Sequence, residues 1–315
     1  MSFSGKVKEE LANQRSGARH CQIAEFAAIF SLCGKIAPQK QGELWLEIHT
    51  ENLTVARKSY ILISMAFQAE TQIRIRRHRA VSRTSSYYLV VQEQQTVYEI
   101  LKAVKILNEQ EDRWGDFSAV PERLVQNTCC KRAYLRGAFM VAGSITDPEK
   151  AYHLEIAVLS EKYCRQLQKL MASFEIDAKI VERKKYYVLY VKEGAMIVDL
   201  LNVMEAHVAL MDFENVRILK EVRNSVNRQV NCETANIQKT VTAAARQIED
   251  IRYIESHGGV SVLSDGLREI AELRLDYPDA PLAELGQMLA KPLGKSGVNH
   301  RLRKLSEIAE SMKMD

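Results

Sequence analysis

AEFAAIFSLCGKI (24–36) and RAYLRGAFMVAGSI (132–145) follow one pattern. Each is an apolar run rich in small residues that closes on a glycine, Gly34 or Gly143, and then leads toward a strand. Downstream, ELWLEIHT (43–50) matches AYHLEIAV (151–158): both contain L-E-I and alternate with period two, the mark of a half-buried strand. Amphipathic helices are expected next, over 54–68 and 160–173. Strand pairs follow in TQIRIRRH with SSYYLVVQ and in AKIVERK with YYVLYVK, before closing helices over 95–107 and 193–209. The repeating unit is therefore αββαββα, present twice. A link with a turn signal at Gly115 and a break at Pro121 separates the copies.

This duplicated unit resembles the LAGLIDADG homing-endonuclease fold. Leu135, Arg136, Gly137, Ala138, Phe139, Met140, Val141, Ala142 and Gly143 align with the nine-residue name motif. The first copy supplies Phe26 through Gly34. The resemblance implies that the two motif helices pack side by side at a pseudo-dyad. The small residues Ala28 and Gly137 suit such an approach.

In that family the residue before the terminal glycine is an acid that holds a divalent cation. Here those positions are Cys33 and Ala142. Alanine has no donor atom, and a thiol is a soft ligand poorly matched to Mg²⁺. The expectation is a scaffold without the nuclease acids. Glu47 and Glu155 stand at matched strand positions, so a displaced metal site is a rival reading. Ion pairing to Arg74 or Arg76 is the plainer one. Alternation puts Leu44, Leu46 and Ile48 on one strand face and Trp45, Glu47 and His49 on the other.

A scaffold without acids can still bind. Arg74, Arg76, Arg77, Arg79 and Arg83 crowd one hairpin, and Arg183, Lys184 and Lys185 lie in its counterpart. Arginines on a hairpin can reach phosphates or guanine edges, or simply remain solvated. A protein partner on the saddle is also compatible with this surface.

Beyond a link expected at 211–222 the pattern becomes helical. A long helix is expected over 233–256, following a polar stretch at 223–236, and another over 265–275. PLAELGQML (281–289) and SGVNHRLRKLSEIAE (296–310) then form a helix-turn-helix pattern over 281–309. In the second segment Val298, Leu302, Leu305 and Ala309 make a buried stripe, with Ser296 as N-cap. Ser296, His300, Arg303 and Lys304 project oppositely, flanked by Asn299 and Arg301, while Lys291 and Lys295 lie in the turn. Residues 291–304 hold five Lys or Arg and no acid. A recognition helix needs this combination: an apolar seat and donors aimed at a groove.

The order of parts, with RAYLRGAFMVAGSITDPEKAYHLEI and LGKSGVNHRLRKLSEIAE, closely resembles the WhiA family of bacterial regulators across nearly the whole chain. The resemblance implies a degenerate homing-endonuclease domain joined to a C-terminal helix-turn-helix. It also implies roles in transcription, sporulation, cell division and chromosome segregation in the cytoplasm, at the nucleoid. It allows a protein partner, such as an iron–sulfur regulator in some lineages.

The expected architecture is α+β: an N-terminal arm (1–20), repeat 1 (21–108), a link (109–127), repeat 2 (128–210), a second link (211–222) and a helical DNA-binding domain (223–315). The expected partner is double-stranded DNA, with a monomer as the starting expectation for the oligomeric state. Rival functions are a metal-dependent nuclease using Glu47 and Glu155, or a nucleoid-attached scaffold.

Composition excludes other classes. The 315 residues are 46% hydrophobic and 27% charged, with a net charge of +4, as in ordinary globular chains. No run approaches the ~18 apolar residues of a membrane span. The N-terminal stretch MSFSGKVKEELANQ is too polar for a secretory signal. The six cysteines form no C-x-x-C pair, so free thiols are expected, with no metal site and no cofactor.

Overall fold

A computed structural model describes residues 1–39, 42–77, 85–107, 119–259 and 263–314. The chain divides into two compact units, Met1–Lys220 and Glu221–Asp315.

The first unit is a doubled α/β layer. Its helix α1 (Phe3–Asn13) starts at Ser2, whose hydroxyl accepts from the Gly5 amide, and buries Val7, Leu11 and Ala12. The expected N-terminal arm is therefore part of the core, because these three residues fall on one helical face. Repeat 1 consists of α2 (Arg19–Cys33), β1 (Gly34–Pro38), β2 (Leu44–Thr50), α3 (Leu53–Phe67), β3 (Gln72–Arg77), β4 (Ser85–Val91) and α4 (Gln94–Ala103). Repeat 2 consists of α5 (Thr128–Ala142), β5 (Gly143–Ile145), β6 (Leu154–Val158), α6 (Glu161–Ala172), β7 (Lys179–Arg183), β8 (Tyr186–Val191) and α7 (Gly194–Val203). The expected turn at Gly115 lies outside the described residues, and Glu122–Leu124 of the link form one 3₁₀ turn.

Local chemistry sets these boundaries. Asn52 caps α3 by accepting from the Thr54 amide, and Ser160 caps α6 through the Tyr163 amide. Helix α3 ends at Gln68 with a left-handed φ of 53°. The sheets are antiparallel and ordered β1-β2-β4-β3 and β5-β6-β8-β7. The two orders match element for element, as a duplication requires. Helices cover one face of each sheet: Leu46, Ile48, Leu154 and Ile156 are buried there in a core shared with α2, α3, α5 and α6.

Helices α2 and α5 form the centre of this unit. Both are buried over most of their length, including Phe26, Ala28, Phe30, Tyr134, Gly137 and Phe139. A Cβ placed at Gly137 would overlap the Glu25 carbonyl and lie 3.0 Å from Ala28 Cβ, so only glycine permits this approach. Glu25, fully buried, accepts from Arg136 Nη2 at 3.0 Å and faces Lys58 Nζ at 3.0 Å.

The second unit is helical. Helix α8 (His207–His257) begins in the first unit, so residues 211–222 are helix where a link is expected, and the polar stretch 223–236 is helical too. Asparagines that often mark caps sit here within a long helix, where their cost of a few tenths of a kcal/mol each is readily outweighed. Then come α9 (Asp265–Asp276), α10 (Leu282–Met288) and α11 (Lys295–Met314). Their core joins Ile251 and Ile254 to Leu267, Ile270, Leu285, Leu289, Val298, Leu302, Leu305 and Ala309. Among the described residues no helix is long and apolar enough to cross a membrane.

Candidate nucleic-acid interface

Helix α11 divides cleanly into two faces. Val298, Leu302, Leu305 and Ala309 are at most 1% exposed, the stripe read from the sequence. Ser296, Asn299, His300, Arg303 and Lys304 are exposed. Ser296 is not the N-cap: the helix begins at Lys295, and the amides of Gly297 and Val298 both reach the Gly294 carbonyl. Its hydroxyl is thereby left on the surface of the first turn.

Arg301, expected to flank that outward face, turns away from it. Its Nη1 donates to the Gly266 carbonyl at 3.1 Å, and its guanidinium packs against that glycine. The long side chain is diverted into the domain because α9 begins beside it. Arg303 by contrast is 80% exposed and only loosely paired with Glu307, at 3.6 Å. Lys291 and Lys295 in and after the turn are exposed.

The turn between α10 and α11 is fixed by a glycine in an unexpected place. A Cβ at Gly286 would overlap the Leu293 carbonyl, while the Leu293 amide donates to the Gly286 carbonyl at 2.9 Å. The turn thus folds back onto α10 without the tight glycine turn of shorter motifs.

Residues on α8 extend this surface. Arg246 and Gln247 line a groove of about 520 Å³ with Asn299, Arg303 and Glu310. A second groove joins Lys239 and Thr240 to Lys295 and Asn299. Arg246 Nη2 pairs with Glu310 at 2.6 Å. Sequence reading missed Lys239 and Arg246 because helical periodicity does not say which face of α8 meets α11.

In the first unit, α2 and α5 end at Cys33 and Ala142. Cys33 turns its thiol onto the Ile29 carbonyl at 3.2 Å, and burial pushes it up to about 12. Ala142, at the matching end of α5, has no donor. Gly34 and Gly143 are needed for packing: a Cβ on either would overlap the ring of Phe30 or Phe139.

The two strand glutamates are each held by a cation, though not the expected ones. Glu47 pairs with Lys35 at 2.8 Å, its direct cross-strand neighbour. Arg74 instead lies 5.7 Å above the Trp45 ring, and Arg76 is exposed. Glu155 contacts His153 at 2.9 Å, Arg183 at 3.3 Å and the Ser144 hydroxyl at 3.3 Å.

Register puts Arg74 opposite Tyr88 and Tyr88 opposite His49, so they share a face with Glu47. That is the face of the sheet away from the helices. Arg77 is one residue out of phase and points to the other face, although exposed. Arg79 and Arg83 lie outside the described residues. Lys184 takes a left-handed turn with φ 57°, and Lys185 sits 5.4 Å from the Tyr186 ring.

Comparison with known proteins follows the same division of the chain. Models described as WhiA N-terminal LAGLIDADG-like domain, WhiA LAGLIDADG-like domain and WhiA C-terminal HTH domain match residues 19–107, 131–223 and 226–309. A probable cell division protein WhiA from Lachnoclostridium phytofermentans is 55% identical over 315 residues, covering 99% of this chain and 100% of that protein. One from Alkaliphilus oremlandii is 50% identical, covering 99% and 98%. The crystal structure of full-length DUF199/WhiA from Thermotoga maritima is similar in fold, with a TM-score of 0.60 at 24% identity and 99% of both chains covered.

Proposed function

The chain belongs to the WhiA family, and on that premise we propose that it is a sequence-reading regulator of transcription that binds double-stranded DNA and does not cleave it. The observation that carries this reading is α11: its apolar stripe is seated in the domain core, while Asn299, His300, Arg303 and Lys304 are presented outward. Such a helix can enter a major groove, with arginine donating to guanine and asparagine bonding adenine. Lys291, Lys295 and Lys239 flank it as phosphate contacts that position the reader. The domain organisation is a duplicated saddle followed by this reader.

The saddle is a binding surface for a protein partner or for added DNA contacts through Arg74, Arg76 and Arg183. Cleavage is absent on this reading because Cys33 and Ala142 offer no hard oxygen ligands, and Glu47 and Glu155 are neutralised by neighbouring cations. The cellular role is in cell division, chromosome segregation or sporulation, and the work takes place at the nucleoid.

Selection of bound genomic fragments by the purified chain at near-physiological salt, with and without Mg²⁺, tests both the reading of sequence and the absence of cleavage. A recurrent motif with intact ends is expected. Mg²⁺-dependent nicking that disappears in a Glu47→Ala, Glu155→Ala double variant would restore the nuclease reading. Uniform, strongly salt-dependent recovery without a motif would leave only a scaffold.

A further inference from the structure

Four metal-ligating side chains meet where α2 and α5 begin, at the opposite end of these helices from Cys33 and Ala142. The ligand atoms of His20, Cys21, Cys129 and Cys130 all lie within 4.8 Å of one another. His20 Nδ1 is 3.1 Å from Cys130 Sγ and 3.3 Å from Cys21 Sγ. Each helix contributes its second and third residues, so the group is two dipeptides, His20-Cys21 and Cys129-Cys130, brought together across the pseudo-dyad. The offset of 109 that aligns Gly34 with Gly143 also aligns His20 with Cys129 and Cys21 with Cys130.

We propose that His20, Cys21, Cys129 and Cys130 bind one zinc ion that staples the two repeats together. Tetrahedral zinc, with bonds of about 2.3 Å to sulfur and about 2.0–2.1 Å to nitrogen, places its ligand atoms roughly 3.5–3.8 Å apart. The four atoms here need shifts of about an ångström or less to reach that spacing. Three thiolates and an imidazole are a soft set that selects zinc over Mg²⁺.

Binding replaces three thiol protons, which leave to solvent, and the complex of Zn²⁺ with three thiolates carries a net charge of −1. The positive ends of two helix dipoles face that charge and favour it. Cys21 and Cys130 are buried with Ala24 and Ala133 in a small cluster of their own, and His20 and Cys129 are exposed. The ion therefore has a path in from solvent and a dry floor beneath it. Four ligands from the protein close the site, which makes it structural. It lies ~18 Å along α2 from Cys33, taking 1.5 Å per residue, and so is separate from the position of the lost nuclease acids.

The test uses the full chain, purified in a reducing buffer without chelator. Elemental analysis is expected to return one zinc per chain. Loading with Co²⁺ should produce the intense visible bands of a tetrahedral thiolate complex. A His20→Ala, Cys129→Ser double variant alters only exposed side chains and should fold, with unchanged circular dichroism and at least a tenfold loss of metal affinity against a competing chelator. Cys232→Ser, an exposed cysteine on α8, should bind as the unaltered chain does. The proposal is overturned if the unaltered chain holds no zinc and gives no cobalt bands. It is equally overturned if the double variant keeps full affinity, or if peptide mapping recovers a Cys21–Cys130 disulfide in place of metal.

Discussion

The backbone of Gly137 rests against the carbonyl of Glu25, so close that a single methyl group on Gly137 would enter the oxygen's van der Waals surface. The two halves of the saddle are joined at this contact. Gly137→Ala should therefore force α2 and α5 apart and destabilise the unit by about 1–3 kcal/mol, as overpacking does. Urea unfolding measures it. Gly17→Ala, where a Cβ would meet nothing within 4 Å, is the control and should change stability little.

Glu25 also anchors a buried charge network with Lys58 and Arg136. Removing it takes the buried carboxylate from Lys58 and leaves Arg136 with Glu205, 2.7 Å away at the edge of the core. Glu25→Ala should cost about 3–5 kcal/mol, the usual penalty for breaking a buried pair. Lys58→Met should cost less, because Glu25 keeps Arg136. A cost for Lys58→Met equal to that of Glu25→Ala would show that the lysine, not the carboxylate, organises the network.

Lys58 makes this network pH-sensitive in a defined direction. Burial pulls its pKa below the ordinary lysine range, against the opposing pull of Glu25. The unfolded chain, with a lysine pKa of about 10.4, then binds more protons than the folded one between the two values. The lysine's contribution to stability rises as pH climbs through the lowered folded value, and is complete above the unfolded one. Denaturation midpoints measured across that alkaline range should rise more steeply in the unaltered chain than in Lys58→Met.

Arg301 and Arg303 stand two residues apart on α11, one turned into the domain and the other outward. Arg303→Ala should cost about 1–3 kcal/mol in binding to a selected site and relax one base preference, without loss of stability. Arg301→Ala removes a charge-assisted hydrogen bond to Gly266 and should lower stability by about 1–2 kcal/mol. Binding isotherms on matched and mismatched sites, paired with thermal melts, separate the two effects. If Arg301→Ala alters base preference in a chain that melts normally, its inward role is refuted.

Gly286 gives a parallel test of the turn. Gly286→Ala would push against the Leu293 carbonyl and loosen the path from α10 into α11. The expected result is faster amide exchange at Leu293 and a stability loss of about 1–3 kcal/mol. Unchanged exchange there would mean that the turn is held elsewhere.

Much of this is legible in the order of residues. Strand alternation, helical spacing and the internal repeat record which face of each element is buried, so β2, β6, α2, α5 and the stripe Val298–Leu302–Leu305–Ala309 could be read from order alone. Periodicity is a local property, and each element carries its own copy of it. Partner choice is not local. That Glu47 takes Lys35 rather than Arg74 depends on strand register. Arg301 turns inward because of where α9 starts, and α1 joins the core because a groove receives Val7 and Leu11. His20 and Cys21 meet Cys129 and Cys130 only because two helices distant in sequence pack along a shared axis, with a glycine at their closest approach. Order along the chain records the pattern of burial, but only packing decides which side chains from distant segments come within a hydrogen bond or a metal bond of one another.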